Sequence, residues 1–577
     1  MALFARTRDS IHKTTLFVAA AAAAAALAAC SALPATAPEA SGSAQPSAPA
    51  SPSPSASEQP TTAPPSASPS PDPKLRPLGW GPEQRDHDVA AAAVSAMSVE
   101  EKAGQVLMPV YGGPDPAAQA ATIERLHLAG SIIMGDNIPL AANGQADPAA
   151  MTTVNERLSQ ATRADGRPWP GLIGVDQEGG IVTRLGAPLT EWPTPMSYGA
   201  AGSVALARDA GRAMASELAP LGFNLDFAPD ADVTIGPADP TIGARSMSGN
   251  PDQAGQLAVS FSQGMQEADV LPVLKHFPGH GSVTVDSHQD LPVQPAGIAE
   301  LEARDWKPFR AAVAAGVPII MTGHIAVPAL EPGVPASLSA PTYATLRGMG
   351  FKGVAVTDAL NMGAVNKRYP GGSAAPAALA AGADLLLMPA DVGQAHAAIV
   401  GAVATGTVPA ARLDEAATRV ATMLTWRGRT ASSPGAPQGA APGSSGDTSA
   451  RVSAAAVTVL SGHCSGPIAP AGVRIAGGSD QDRARFAAAA AKAGLSIGQG
   501  PLVTLVGYAG RPAGGDIAVT LDAPWPLAGS SAPVKIALYG RTPGAFDALV
   551  AVLTGKATAP GKLPAAVGSF PGGTGCP

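Results

Sequence analysis

Short apolar runs alternate with helix-like stretches eight times between residues 106 and 389, and this alternation leaves few folds open to the chain. The runs are Val106–Val110, Ser131–Met134, Gly171–Val175, Asn224–Pro229, Val270–Pro278, Val317–Gly323, Gly353–Thr357 and Asp384–Pro389. Continuous apolar runs suit strands buried on both faces, as in a parallel sheet. The intervening stretches, rich in Ala, Leu and charge, suit crossover helices. Eight such units predict a (β/α)8 barrel of the TIM type; a doubly wound open sheet is the competing architecture. The polar residues favour the barrel. Asp176, Asp226, Lys275, His276, His324 and Asp358 all fall at or just past the C-terminal ends of runs, the end of such a barrel that carries its chemistry.

The barrel is expected over residues 78–430 and a smaller α/β domain over 450–577. Between them, Ala431–Ser449 reads as an interdomain linker or long loop. In the second domain Ala454–Leu460, Leu502–Gly507, Asp516–Leu521 and Val534–Leu538 read as strands, and Arg483–Ala493 and Pro543–Thr554 as helices. No chemical motif stands out there.

The first 77 residues read as targeting and reach. Arg6, Arg8 and Lys13 precede an apolar run from Leu16 to Ala29, too short to span a membrane comfortably. Leu27-Ala28-Ala29-Cys30 resembles the lipobox of bacterial lipoproteins, which implies a signal peptide over 1–30 and lipidation of Cys30. Acyl chains there would anchor the protein to the outer face of the cell membrane. Residues 31–77 are Ser, Pro, Ala and Thr with little to bury, as in an extended tether. With Cys30 lipidated, Cys464 and Cys576 remain as an even pair in an oxidising compartment. A bridge between them would restrict the unfolded chain by roughly 4–5 kcal/mol on the chain-entropy argument, taken as an upper figure. The net charge of −7 is mild for 577 residues, and no basic block points to nucleic acid.

The densest polar cluster is Lys275-His276-Phe277-Pro278-Gly279-His280-Gly281, followed by Asp286-Ser287-His288. His276 and His280 have the spacing of a helical zinc pair, but Pro278 and Gly279 break any helix between them, so no metal is assigned. Asp286 and His288 are two apart and point to one side of an extended segment. There the carboxylate would fix the imidazole tautomer and leave the other nitrogen to move protons; taken alone, the pair also reads as solvated loop residues. Asp358 directly follows the run Val354–Thr357 and can attack a sugar's anomeric carbon, or cap the next helix. Asp176, in Gly174-Val175-Asp176-Gln177-Glu178-Gly179-Gly180, and Arg184 can bind sugar oxygens or form a surface ion pair.

KHFPGHGSVTVDSHQDLP, GVDQEGGIVTRL, IGARSMSGNP and GVAVTDALNMGAV together resemble family 3 glycoside hydrolases, and more narrowly the NagZ-type β-N-acetylglucosaminidases. The resemblance covers about residues 90 to 425. It implies a (β/α)8 barrel and a retaining two-step mechanism, with Asp358 as nucleophile, His288 as acid/base and Asp286 as its partner. Asp176, Arg184, Arg245, Lys275 and His276 match residues that grip N-acetylglucosamine. Ile181 stands where the family often has Arg. The segment ALYGRTPGAFDALVAVLTGKATAPGKLP resembles the end of the family's second, αβα-sandwich domain. No cofactor is implied, and the expected partners are a β-N-acetylglucosaminyl saccharide and a membrane reached through the lipid, with the chain a monomer. The competing readings are a phosphorylase acting on the same glycosides, a β-glucosidase-like exo-glycosidase, and a catalytically silent carbohydrate-binding lipoprotein. The Asp286-Ser287-His288 motif argues against the glucosidase, because those enzymes use a Glu acid/base.

Overall fold

A computed structural model describes residues 72–433, 437–508 and 510–577. The expected signal peptide, Cys30 and the tether up to residue 71 lie outside the described residues. The final residues assigned to the tether are structured. Asp72 caps a short 3-10 turn, Pro73–Leu75, and Arg76 hydrogen-bonds Gln84.

All eight expected strands form. They are β1 (Leu107–Met108), β2 (Gly130–Ile133), β3 (Leu172–Val175), β4 (Leu225–Asp226), β5 (Leu271–Phe277), β6 (Ile319–Thr322), β7 (Val354–Thr357) and β8 (Leu386–Leu387). Strands β2 to β7 are one parallel sheet in sequence order. The register runs Ile133↔Val175, Val175↔Asp226, Leu225↔Leu271, Leu274↔Ile320 and Thr357↔Thr322. The ring closes through β1 and β8, which pair in parallel at Leu107↔Leu386. On one side Val356 bridges Leu385; on the other, Ala129 N donates to Leu107 O and Ile132 N to Pro109 O. The competing open sheet is therefore set aside. The labelled strands are buried throughout, as continuous apolar runs require. Each buried Val, Leu or Ile contributes roughly 1.5–3 kcal/mol.

The barrel is cross-tied at its closing strand by one buried carboxylate. Asp384 accepts from Arg347 at 2.6 Å, Arg412 at 2.7 Å, Arg419 at 2.6 Å and Ala355 N at 2.9 Å. It thereby joins the helices Ala340–Gly348 and Ala410–Ala431 to β7, the strand that ends at Asp358. Burial pushes the Asp384 carboxyl up, but the three guanidinium groups outweigh it and hold it below its usual value.

The stretch read as linker is tied to the barrel. Glu217, fully buried, accepts from Thr190 N and Oγ1 and from Gly443 N and Ser445 N. The helix Gly446–Ala456 starts inside that stretch and takes up residues 454–456, which were expected to open a strand. The second sheet contains β9 (Thr458–Ser461), β10 (Gly472–Gly477), β11 (Ser496–Val506), β12 (Ile517–Thr520) and β13 (Val534–Ala537). Its order is β9-β13-β12-β11-β10, parallel except for β9. Alternation divides its two faces. Val459, Val519 and Ile536 pack with Phe486 and Phe546 of the helices Asp480–Ala493 and Pro543–Leu553. Leu460, Ala518 and Ala537 face the other way and pack with Met196, Ala200 and Ala244 of the barrel. On this face the barrel takes the place of the second helix layer expected of an αβα sandwich. Cys464 and Cys576 are bonded to each other, with Cα atoms 5.4 Å apart. Among the described residues no helix is long and apolar enough to cross a membrane.

Asp384→Ala leaves three guanidinium groups without their shared anion. Urea or thermal unfolding should show a loss of about 3–5 kcal/mol; a loss below about 1 kcal/mol would mean that the three arginines are adequately solvated without it.

Candidate active site

The C-terminal ends of the barrel strands surround a cavity of about 210 Å³. Asp176, Arg184, Arg245, Lys275, His276, His288 and Asp358 all line it. Asp286 does not; it stands behind His288.

The hairpin after β3, Gln177–Gly179 paired with Val182–Thr183, builds one wall. Its turn carries Gly179 and Gly180, both at positive φ, and a Cβ on Gly180 would come within 2.6 Å of Thr194 Cα. Only glycine fits so close an approach. Gln177 Oε1 accepts from Arg184 N and Leu185 N, which fixes where Arg184 begins. Arg184 reaches back to Asp176 at 3.1 Å. This pair was open to a surface reading, and the structure sets it in the cavity wall.

Glu178 is the residue the sequence reading passed over. It is fully buried and accepts both Arg245 Nε at 2.9 Å and Arg245 Nη2 at 2.8 Å, a bidentate pair, while Lys275 Nζ lies 2.6 Å from it. Lys275 also reaches Asp176 at 3.3 Å. Burial pushes Glu178 up, but Arg245 and then Lys275 hold it far below the usual carboxylate range. Burial pulls Lys275 down, and Glu178 and Asp176 more than offset this, so it stays charged.

Lys275 and His276 are neighbours in β5, yet both line the cavity, and the ladder with β6 shifts register between Leu274 and Phe277. His276 Nδ1 donates to Asp232 Oδ2 at 2.7 Å, which leaves Nε2 as the ring's free nitrogen. Burial lowers the His276 pKa to about 4, so the ring is neutral near pH 7. Asp230, Asp232 and His276 also bring ligand-type atoms within 4.8 Å of one another. In that triad Asp232 is hydrogen-bonded to the imidazole, and Arg245 Nη2 lies 3.6 Å from Asp230. His280 packs edge-on against His276, with ring centroids 5.7 Å apart, and its Nε2 lies 2.8 Å from Ser287 Oγ, so its nitrogens do not join His276 in the triad.

Asp358 closes β7. Its N–H donates to Thr322 O on β6, and its Oδ1 accepts from Ala359 N at 2.8 Å. His324 braces the same turn. A carbonyl can only accept, so Nε2–H donates to Ala359 O at 2.9 Å and Nδ1 accepts from the Ser337 hydroxyl at 2.6 Å. Burial pushes the Asp358 pKa up, but His324, His276, the Ala359 N–H and His288 outweigh it and bring it to about 2. The carboxylate is ionised and available as a nucleophile. On the loop after β5, Asp286 Oδ1 accepts from His288 Nδ1 at 2.8 Å and from His288 N at 3.0 Å. Nε2 is then the nitrogen free to exchange protons at the cavity. Burial pushes Asp286 up, but the two His288 bonds and the charge of His288 outweigh it and bring it below its usual value.

The Glycosyl hydrolase family 3 N-terminal domain matches residues 98–423 of this chain. The chain belongs to glycosyl hydrolase family 3. It is a glycoside hydrolase, and several relatives support that placement. The chain is 33% identical over 347 residues to the beta-hexosaminidase LpqI of Mycobacterium tuberculosis, covering 58% of this chain and 84% of that protein. It is 39% identical over 239 residues to a beta-hexosaminidase of Alkalilimnicola ehrlichii, covering 40% and 68%. The structure of a glycoside hydrolase family 3 beta-N-acetylglucosaminidase from Paenibacillus sp. str. FPU-7 superposes with a TM-score of 0.73 at 28% identity, over 82% of this chain and 99% of that one.

The second domain of this family 3 chain reaches the loop that carries Arg245. Asp239 accepts from Thr241 N, Ile242 N and Gly243 N and shapes the turn. Tyr508 presses its hydroxyl onto Gly243, so closely that a Cβ there would lie 2.0 Å from it. Ala244, next to Arg245, belongs to the interdomain apolar cluster.

Glu178→Gln keeps the side chain's shape but removes the anion shared by Arg245 and Lys275. In steady-state kinetics on an aryl glycoside, kcat/KM should fall about a hundredfold, as expected when positioning groups lose their geometry. An unchanged value would mean that Arg245 and Lys275 keep their places without it.

Proposed function

We propose that the chain is a retaining exo-β-N-acetylglucosaminidase that releases terminal β-linked N-acetylglucosamine from peptidoglycan fragments or chitin-type oligosaccharides. One observation carries this reading: Asp358 and His288 line a single cavity of pyranose size together with Asp176, Arg184, Arg245, Lys275 and His276. The names of the relatives point to the same sugar, since LpqI and the Alkalilimnicola protein are beta-hexosaminidases and the Paenibacillus enzyme is a beta-N-acetylglucosaminidase.

In the first step an Asp358 oxygen bonds to C1 while the C1–O bond to the leaving group breaks. The electron pair of that bond goes to the departing oxygen, which takes a proton from His288 Nε2. In the second step water attacks C1, its proton passes to His288 Nε2, and the bond to Asp358 breaks. Two inversions return the original configuration. Asp286 holds His288 in the tautomer that the second step needs and stabilises the imidazolium before it gives up its proton. The charged cluster around Glu178 and the free nitrogen of His276 bind the sugar hydroxyls.

A neutral imidazole does not repel an anion as a second carboxylate would. This favours substrates whose aglycone carries a carboxylate, as muramic acid does, and it leaves phosphate as a conceivable acceptor. We carry lipidation at Cys30, and hence a place at the outer face of the membrane, as part of the same proposal.

Asp358→Ala should abolish turnover of an aryl β-N-acetylglucosaminide and also covalent trapping by a fluorinated analogue. Trapping in mass spectra at another residue would refute the nucleophile. The acceptor is tested separately: in phosphate buffer the sugar should appear free, and accumulation of its 1-phosphate would make the enzyme a phosphorylase.

A further inference from the structure

Beyond Val283, which is buried in the barrel core, the loop that carries Asp286 and His288 has a single buried residue before Leu291. Residues 284, 285, 288, 289 and 290 are open to solvent, and the His288 side chain is 62% exposed. Ser287, between the two residues of the dyad, is 1% exposed. Its hydroxyl lies 2.8 Å from His280 Nε2, and His280 is equally buried. A short exposed loop cannot keep a proton donor over a sugar without an anchor, because ordering it costs entropy that its own contacts must offset.

We propose that His280 is a positioning residue, which through Ser287 holds the acid/base loop over Asp358. This rests on the reading of His288 as the acid/base. His280 is itself fixed, because its backbone N–H donates to Asp232 Oδ1 at 2.6 Å. The other oxygen of Asp232 accepts from His276. One buried carboxylate therefore sets both a ring that lines the sugar cavity and the anchor of the loop. The opposite side of the loop is held more weakly by the chain that follows Asp358. There Gly363 N donates to His288 O at 3.2 Å and Ala364 N to Ser287 O at 3.3 Å. Ser287 is thus gripped from both catalytic loops, by its hydroxyl from one and its carbonyl from the other.

His280 suits this task chemically. Burial lowers its pKa to about 3, so it brings no charge beside Lys275 and Arg245 near pH 7. Its Nδ1 is buried with no hydrogen-bond partner. A buried N–H without an acceptor is costlier than a bare lone pair, which puts the proton on Nε2. His280 then donates to Ser287 Oγ.

The test is a leaving-group series of aryl β-N-acetylglucosaminides, from a dinitrophenyl glycoside that needs no acid to alkylphenyl glycosides that do. Parent, Ser287→Ala, His280→Gln and His288→Ala are compared. Ser287→Ala and His280→Gln should lose about tenfold or more in kcat/KM on the poor leaving groups and less than about twofold on the dinitrophenyl glycoside, since kcat/KM reports the first step alone and that substrate needs no acid there. The double variant should be no worse than the weaker single one, because both break one contact. Parent-like rates across the series for Ser287→Ala, with His288→Ala showing the dependence, would overturn the anchor and leave the acid/base reading intact. An equal loss on every substrate would make the contact merely structural and also overturn it. If His288→Ala itself showed no dependence on the leaving group, the reading beneath would fail and the anchor with it.

Discussion

Two cations, Arg245 and Lys275, are drawn out of water at the mouth of the barrel, where a charge without an anion beside it would cost several kcal/mol. Glu178 supplies that anion to both, through a bidentate bond to the guanidinium and a close contact with the ammonium. Each group comes from a different part of the chain: the hairpin after β3, the turn near residue 245 and the strand β5. Charge compensation therefore fixes the relative positions of two loops and a strand as well as three side chains. Asp176, tied to Lys275 and Arg184, extends the same network to the cavity surface. A glycoside entering such a site meets dipoles and charges already oriented, which is the condition for electrostatic catalysis.

The carboxylates at this end of the barrel divide into two kinds. Glu178 is held low by Arg245 and Lys275, and Asp358 by the histidines around it and the Ala359 N–H. Burial pushes Asp226 up with no cation beside it strong enough to compensate, and burial together with the charge of Asp232 does the same to Asp230. Asp226 still accepts from Gln177 N and so serves the hairpin as a structural acceptor. The separation suits the role proposed for Asp358, which requires a carboxylate that stays ionised.

The barrel was legible because its strands are buried on both sides and read as unbroken apolar runs. The polar residues at their ends then marked the working face without further information. Glu178 lay in a quoted motif and was missed because its role depends on Arg245, sixty-seven residues away. Sequence spacing does not show a pair of that kind. Asp232 was hidden for the same reason, since it lies 44 residues from His276 and 48 from His280. In the second domain β10, Gly472–Gly477, is an edge strand with two glycines and an arginine, and nothing in it alternates clearly. Residues 454–456 are alanines, equally at home in a strand or a helix by apolarity alone, and the helix won because it packs against the barrel. The linker's composition gave no sign that Glu217 would bind its backbone.

Tyr508 gives the second domain a share in shaping the cavity although none of its described residues lines it. The turn before Arg245 rests on that phenol, and Ala244 is sealed into the seam between the domains. Such a joint makes the two modules poor candidates for independent exchange. A foreign partner fused behind this barrel would have to reproduce the shape of one aromatic side chain, or the guanidinium it supports would settle elsewhere.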